Sequence, residues 1–291
     1  MQMKSPFHSN VLSGRVAVIT GGGSGIGFGI AQELARHGAR IVITGRRKQF
    51  LADAVKILTD EGFQASYLAG DVRKFDNCES VVNFAVSKYG SLDILVCSHA
   101  GNFLAPAETL SSNGFRTVID IDTVGVFNIC RAAFAPLKKS QGSIIHISAT
   151  LQIGASWYQI HASAAKAAID SITRSLALEW GSYGIRVNGI APGAVNDTPG
   201  LQKLTLGMSA EKVNKMLGPL TPLGRICTKF DIAMVIIFLC SAGGAFLTGE
   251  TILMDGGAWL AGPAPFPRDV AIKMSRSVES KSRQMGAQSK M

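Results

Sequence analysis

Short apolar runs rich in Val and Ile alternate along the chain with longer stretches in which apolar side chains recur at helical spacing. The short runs predict strands over residues 15–20, 40–44, 65–68, 92–97, 143–148, 186–191 and 251–255. The longer stretches predict helices over 25–37, from the second strand through about 61, and over 78–89, 113–138, 163–181 and 231–240. Repeated strand-helix units of this kind predict an α/β chain with one doubly wound, mainly parallel sheet and helices on both faces. No linker interrupts the series, so a single domain is expected over 14–262, between an N-terminal extension, 1–13, and a basic tail, 263–291. The segment 196–222, rich in Gly, Pro and Leu after the Pro192-Gly193 turn, reads as a small lid insertion. No internal repeat is evident.

Composition narrows the class. The 291 residues are 47% hydrophobic and only 17% charged, below the roughly 25% of an average soluble domain, which excludes a disordered chain. The 32 glycines fall in short turns with no G-X-Y period, which excludes a collagen-like chain. Net charge is +9, but +4 of it lies in the tail, where Arg268, Lys273, Arg276, Lys281, Arg283 and Lys290 outnumber Asp269 and Glu279. The remaining +5 suits an anionic small ligand better than a duplex, and no interleaved aromatic and basic strip marks a nucleic-acid binder. Five scattered cysteines without a C-x-x-C spacing read as buried thiols in a reducing compartment, with no metal site expected. The N-terminus has no apolar signal region, and the most apolar stretch, 232–247, is too short to span a bilayer. A soluble intracellular protein without a membrane span is expected. The final Ser289-Lys290-Met291 resembles the S-K-L peroxisomal address.

The clearest chemistry lies near the N-terminus. Gly21, Gly22, Gly23, Ser24, Gly25, Ile26 and Gly27 follow the first strand at once and open the first helix. In that context glycines allow a tight turn and let a pyrophosphate approach amides at the positive end of the helix, which predicts a dinucleotide cofactor. An NAD site would place an acid at the end of the second strand, but this chain has Arg46 and Arg47, followed by Lys48 as a solvated helix start. Guanidinium groups suit a 2′-phosphate, so NADPH is the expected cofactor.

Together with Asp71-Val72 after the third strand, Ser98-His99-Ala100-Gly101, Lys166 and Pro192-Gly193, that string resembles the short-chain dehydrogenase/reductase family over roughly residues 12–260. The resemblance implies a Rossmann-type doubly wound parallel sheet. It also implies Asp71 and Val72 near the adenine, Lys166 on the nicotinamide ribose, and the turn from Pro192 and Gly193 to Thr198 around the nicotinamide. The usual family site has Tyr four residues before the Lys and Ser thirteen before that Tyr, where this chain has Ala162 and Ala149. Tyr158, eight residues before Lys166, is off that register and reads as pocket wall rather than acid. Three residues before Gly125 the family usually has Asn, whereas here Asp122 stands. With Asn102, Phe103, His161 and Trp259, this Asp beside Lys166 resembles the peroxisomal 2,4-dienoyl-CoA reductase branch. The mitochondrial branch has Tyr fifteen residues before its Lys, and Leu151 stands there.

That resemblance implies a mechanism: NADPH gives hydride to C5 of a 2,4-dienoyl thioester, and the resulting dienolate is protonated at Cα to a 3-enoyl-CoA. Charge gathers on the thioester oxygen, so the site mainly needs a preorganised donor there, for which Asn102 is the candidate. A cation beside Asp122 favours the carboxylate, so Asp122 and Lys166 are expected to orient a proton-donating water. Arg73, Lys203 and Arg46 are implied to flank the nucleotide of the acyl-CoA substrate, with Phe103, Ser111 and Asn113 on the acyl or pantetheine path. The family's association through the helices predicted at 113–138 and 163–181 implies a homotetramer or homodimer, and the terminal tripeptide implies the peroxisomal import receptor as partner. Three alternatives stay open: a 2-enoyl-CoA reductase, a 3-oxoacyl reductase and a nonenzymatic NADPH-binding protein. His99 is expected to be a satisfied histidine near the cofactor, His146 a core residue, and His8 and His37 surface residues.

Overall fold

A computed structural model describes residues 4–152, 154, 156–205 and 207–260, with 270 and 273 beyond them. The chain divides into the units Met1–Trp259 and Leu260–Met291, and every element named below lies in the first. The tail's last residues, with Ser289-Lys290-Met291, fall outside the described residues.

Seven parallel strands form one sheet in the order β3-β2-β1-β4-β5-β6-β7. They are β1 Val16–Thr20, β2 Arg40–Gly45, β3 Ala65–Ala69, β4 Ile94–Cys97, β5 Ser143–Ile147, β6 Arg186–Pro192 and β7 Thr251–Met254. The central strands β1, β4 and β5 are buried along their whole length, which is why they read as continuous apolar runs. Alternation is still present within them. Ala17, Ile19, Ile41, Ile43, Ile94 and Val96 face one apolar layer, and Val18, Val42, Leu95 and Ile144 face the other.

Helices cover both layers. On the first lie α1 Gly25–Arg36, α2 Lys48–Asp60 and a later apolar helix, Lys229–Cys240. On the second lie α3 Phe75–Tyr89 and two longer segments described next. Several helices start earlier than their apolar periodicity does, because the polar cap lies outside the pattern. Lys229–Cys240 opens on a Thr228/Asp231 capping box, two residues before the predicted start.

The helix predicted over 113–138 is broken in register. It consists of α4 Ser112–Ile119, a π turn Asp120–Val124, and α5 Gly125–Ser140. A side chain at Gly125 would meet Val72 at 2.6 Å and His99 Nε2 at 3.0 Å, so the chain passes too close to β4's end for any other residue. The wider π turn lies just before this contact and turns Asp122 fully inward. π turns of this kind gather at functional sites. The helix predicted from 163 starts at Ile160 and runs to Trp180 as α6, which brings His161 into its first turn. The predicted lid contains two short helices, α7 Pro199–Leu204 and α8 Ala210–Leu217; Lys229–Cys240 is therefore α9.

One histidine reading changes in three dimensions, and two of the expected buried thiols acquire a shared partner. His37 is buried rather than surface, because the N-terminal segment folds over it: its Nδ1–H donates to the Glu33 carbonyl at 2.6 Å, and Ser5 Oγ meets Nε2 at 2.7 Å. Cys97 and Cys130, far apart in sequence, meet His146 in the core. Thr173 gives its hydroxyl proton to the Ile169 carbonyl, so it accepts from His146 Nδ1–H at 2.8 Å, which leaves Nε2 to accept from Cys130 Sγ at 3.3 Å. The buried polar atoms of that imidazole are thereby satisfied within the protein, as core burial requires.

Gly27 packs α1 against the end of β1, where a Cβ would lie 2.5 Å from the Gly21 carbonyl oxygen. Backbone cannot move aside cheaply, so Gly27→Val should cost at least about 1–3 kcal/mol. Urea denaturation should show a lower midpoint at unchanged slope, and dinucleotide binding should be lost with it.

Candidate active site

The strand order reverses direction between β1 and β4, and a crevice outside their carboxyl ends is where an open α/β sheet binds ligands. Here that crevice holds about 350 Å³. Gly21 turns the chain out of β1 at φ +66°, and a Cβ there would lie 2.8 Å from the Ser98 carbonyl oxygen. Gly21, Gly23, Ser24, Gly25, Ile26 and Gly27 line the crevice, while Gly22 faces Ile43 and serves packing. Arg46 and Arg47 line it from the end of β2, with Arg47 held flat over Phe50 at 3.9 Å.

Further along the crevice come Asp71, Val72, Asn102, Thr198 and Lys203. Asp71 is forked to Arg73, whose Nε lies 3.0 Å from each carboxylate oxygen, and this guanidinium holds the Asp71 carboxyl below its ordinary value. Arg73 itself does not line the crevice. Thr198 caps α7, accepting from Leu201 N at 3.2 Å, and so fixes the lid's first helix with Pro199, Gly200, Lys203 and Leu204 against the crevice. Pro192 ends β6, and a Cβ on Gly193 would meet Asp255 at 2.9 Å; neither residue lines the crevice.

Behind the crevice lies the most heavily buried charge pair among the described residues. Lys166 Nζ stands 3.1 Å from Asp122 Oδ2, with the two side chains 9% and 1% exposed. Lys166 also donates to the Ile147 carbonyl at 3.1 Å, and the Gly101 amide donates to Asp122 Oδ1 at 2.6 Å. α6 supplies the lysine, the π turn the aspartate, and the ends of β4 and β5 the two backbone partners. Removing either charge would strand the other in the core.

No hydroxyl stands at Ala162 or Ala149. Tyr158 is half exposed, beside Trp157, with backbone φ +62°. Its carbonyl accepts from Ala105 N at 2.9 Å, so its backbone anchors the segment that carries Asn102 and Phe103. Phe103 stacks on His161 with ring centroids 4.4 Å apart. Ser111 caps α4 by accepting from Gly114 N, and Asn113 is exposed in that helix's first turn. Neither lines the crevice. They flank a second, apolar groove of about 510 Å³ lined by Leu110, Phe115, Ile119 and Ile160 among others.

His99 is only half satisfied, contrary to expectation. Nδ1 is hydrogen-bonded to Thr20 Oγ1 at 2.6 Å, whereas Nε2 is buried against Gly125 without a partner. The sequence also gave no signal for the π turn beyond Gly125 itself, or for the buried, unpartnered imidazole of His161.

Residues 21–258 match the family described as enoyl-(acyl carrier protein) reductase. A short-chain dehydrogenase structure from Bacillus anthracis is 38% identical, with TM-score 0.78, covering 89% of this chain and 100% of its own. The chain belongs to the short-chain dehydrogenase/reductase family. Among its short-chain dehydrogenase/reductase relatives is the peroxisomal 2,4-dienoyl-CoA reductase [(3E)-enoyl-CoA-producing] of Arabidopsis thaliana, 52% identical over 97% of this chain and 96% of that protein. A Burkholderia cenocepacia gluconate 5-dehydrogenase structure, in complex with NADP and tartrate, is 30% identical with TM-score 0.80, covering 87% of this chain and 99% of its own. The chain is therefore an oxidoreductase of a family whose members use a nicotinamide cofactor.

Burial pushes the His99 imidazole down to about 4, with Asp122 pulling the other way and Lys166 adding to the fall. The unfolded chain, with an ordinary value near 6.5, binds more protons between those limits. Stability that is present above pH 6.5 is lost as pH falls toward 4, up to about 3 kcal/mol of it through this residue. His99→Asn should flatten the wild-type loss across that window in urea titrations at a series of pH values.

Proposed function

We propose that this protein is an NADPH-dependent 2,4-dienoyl-CoA reductase that yields 3-enoyl-CoA in peroxisomal β-oxidation of unsaturated fatty acids. The observation that carries the reading is the buried Asp122–Lys166 pair behind a dinucleotide crevice, in a chain with Ala at both 162 and 149. Reduction of a ketone needs an acid for the alkoxide as hydride arrives. A conjugated thioester instead spreads charge onto its carbonyl oxygen and needs a donor there. The name of the Arabidopsis relative, a (3E)-enoyl-CoA-producing reductase, supports the same chemistry.

The cradle fits the cofactor. Glycines crowd the turn so closely that a Cβ would strike backbone, and the positive end of α1 faces the space. Arg46 and Arg47, with no carboxylate at the end of β2, would hold a 2′-phosphate. When bound, NADPH supplies the hydride. Asn102, on the crevice wall, donates to the thioester oxygen, and Lys166 holds the nicotinamide ribose. Asp122 and Lys166 orient the water that gives its proton to Cα. Lys203 faces the crevice and serves CoA phosphates there, with Arg46 beside it; Arg73 reaches them from outside once released from Asp71. Phe103, Ser111 and Asn113 border the acyl path along the apolar groove.

The protein acts as an oligomer through α5 and α6, which leave Phe127 and Leu178 exposed. Residues 263–291 carry the import address to the peroxisome. No helix among the described residues is long and apolar enough to cross a membrane.

Replacing both Arg46 and Arg47 by Ala should lower kcat/KM with NADPH by at least about tenfold per lost charge-assisted contact, with little change for NADH. Equal kcat/KM for the two cofactors in the wild type would defeat the NADPH assignment. In an absorbance assay with NADPH, turnover of a dienoyl-CoA is expected, with an enoyl-CoA and a 3-oxoacyl-CoA left unreduced. Asp122→Ala should reduce dienoyl-CoA turnover by about two orders of magnitude. Cofactor binding without turnover of any acyl-CoA would favour the nonenzymatic reading.

A further inference from the structure

His161 is fully buried, yet neither ring nitrogen has a hydrogen-bond partner. An imidazole left in that state loses the hydrogen bonds that water would supply, which destabilises the fold unless something else offsets it. The buried rings of His37 and His146 each use both nitrogens, and His99 uses one, so His161 alone among these leaves both unpaired. Burial also lowers the basicity of His161, against smaller pulls from the Phe103 backbone and Asp122, so the ring is uncharged at neutral pH and carries one N–H.

The orphan is not isolated. Among the described residues, the other buried side-chain atoms without partners include Thr123 Oγ1, Ser148 Oγ and Ser163 Oγ. They lie on the π turn, just after β5, and in the first turn of α6. Those are the segments that converge on Lys166. Unpaired polar atoms are normally few and scattered, so their concentration here marks a place built for a polar guest.

The surroundings of His161 indicate which guest. Its only ring neighbour among the described residues is Phe103, half exposed and immediately after Asn102. Asn102 lines the cofactor crevice, while Ile160, immediately before His161, lines the apolar groove. The imidazole thus belongs to a segment that borders the groove and stacks on one that borders the crevice, with the Phe103 ring over it. A molecule with an apolar tail in the groove and its reacting end in the crevice would pass that cover.

We propose that His161 is a second hydrogen-bond donor to the substrate, its ring N–H meeting the thioester carbonyl oxygen opposite Asn102 once the acyl chain displaces Phe103. This rests on the acyl-thioester reading given above. An uncharged imidazole suits the task, since it can stabilise an enolate oxygen by donation without first surrendering its proton. Triosephosphate isomerase uses an uncharged histidine in that way.

The test uses His161→Phe and His161→Gln in the full-length protein. Phe fills the same space beside Phe103 and removes both unsatisfied nitrogens, so its thermal midpoint should rise. Its kcat with dienoyl-CoA should fall about a hundredfold, with the Kd for NADPH unchanged by fluorescence titration. Gln restores an N–H donor and should recover kcat to within about tenfold of wild type. The signature is opposition: stability gained as turnover is lost. If His161→Phe turns over within threefold of wild type, the proposal is overturned. It is also overturned if stability and kcat fall together, or if Gln rescues no turnover, since either result makes the residue structural. The comparison uses whichever acyl thioester the wild type reduces, so failure of the dienoyl-CoA assignment would be seen in the wild type alone.

Discussion

One buried ion pair organises this molecule's functional end. Lys166 and Asp122 are almost wholly removed from water, where an unpaired charge costs several kcal/mol even after relaxation. The pair persists because each charge has a further partner: the Ile147 carbonyl for the ammonium and the Gly101 amide for the carboxylate. Those four groups come from α6, the π turn and the ends of β5 and β4. Satisfying them fixes how these elements meet, and the crevice inherits its inner wall from that agreement.

The sheet was legible in the amino-acid sequence because strands buried on both faces cannot hide their composition. Ile94 to Cys97 and Ser143 to Ile147 announce themselves as apolar runs between turns. Helix starts were less legible: the first turn of α6 carries Ile160 and His161 where the amphipathic pattern has not begun. The π turn was invisible, since its register depends on how closely Gly125 must approach Val72 and His99, two residues that follow other segments' strands, β3 and β4. The burial of His37 was missed for a similar reason, because its cover comes from the far N-terminus.

The cofactor end reads more directly than the substrate end. Glycine spacing, strand end and helix start are local, and local order determines the cradle. Arg73, Lys203, Ser111 and Asn113 were placed by resemblance, and their neighbours differ in kind. Lys203 faces the cofactor crevice, Arg73 is held by Asp71, and Ser111 is occupied with capping α4. A contact that depends on the conformation of a lid or the competition between two partners for one guanidinium is not encoded in a single position.

Val72 and His99 each have two neighbours of consequence. One side of each lines the crevice, and the other meets Gly125 at the end of the π turn. They form a partition one side chain thick between the crevice and the backbone that aims Asp122. Such a partition transmits pressure in both directions, because packed interiors compress little. A change in the volume of either side chain would therefore press on the crevice and on the turn alike, so the two cannot be reshaped independently at this point.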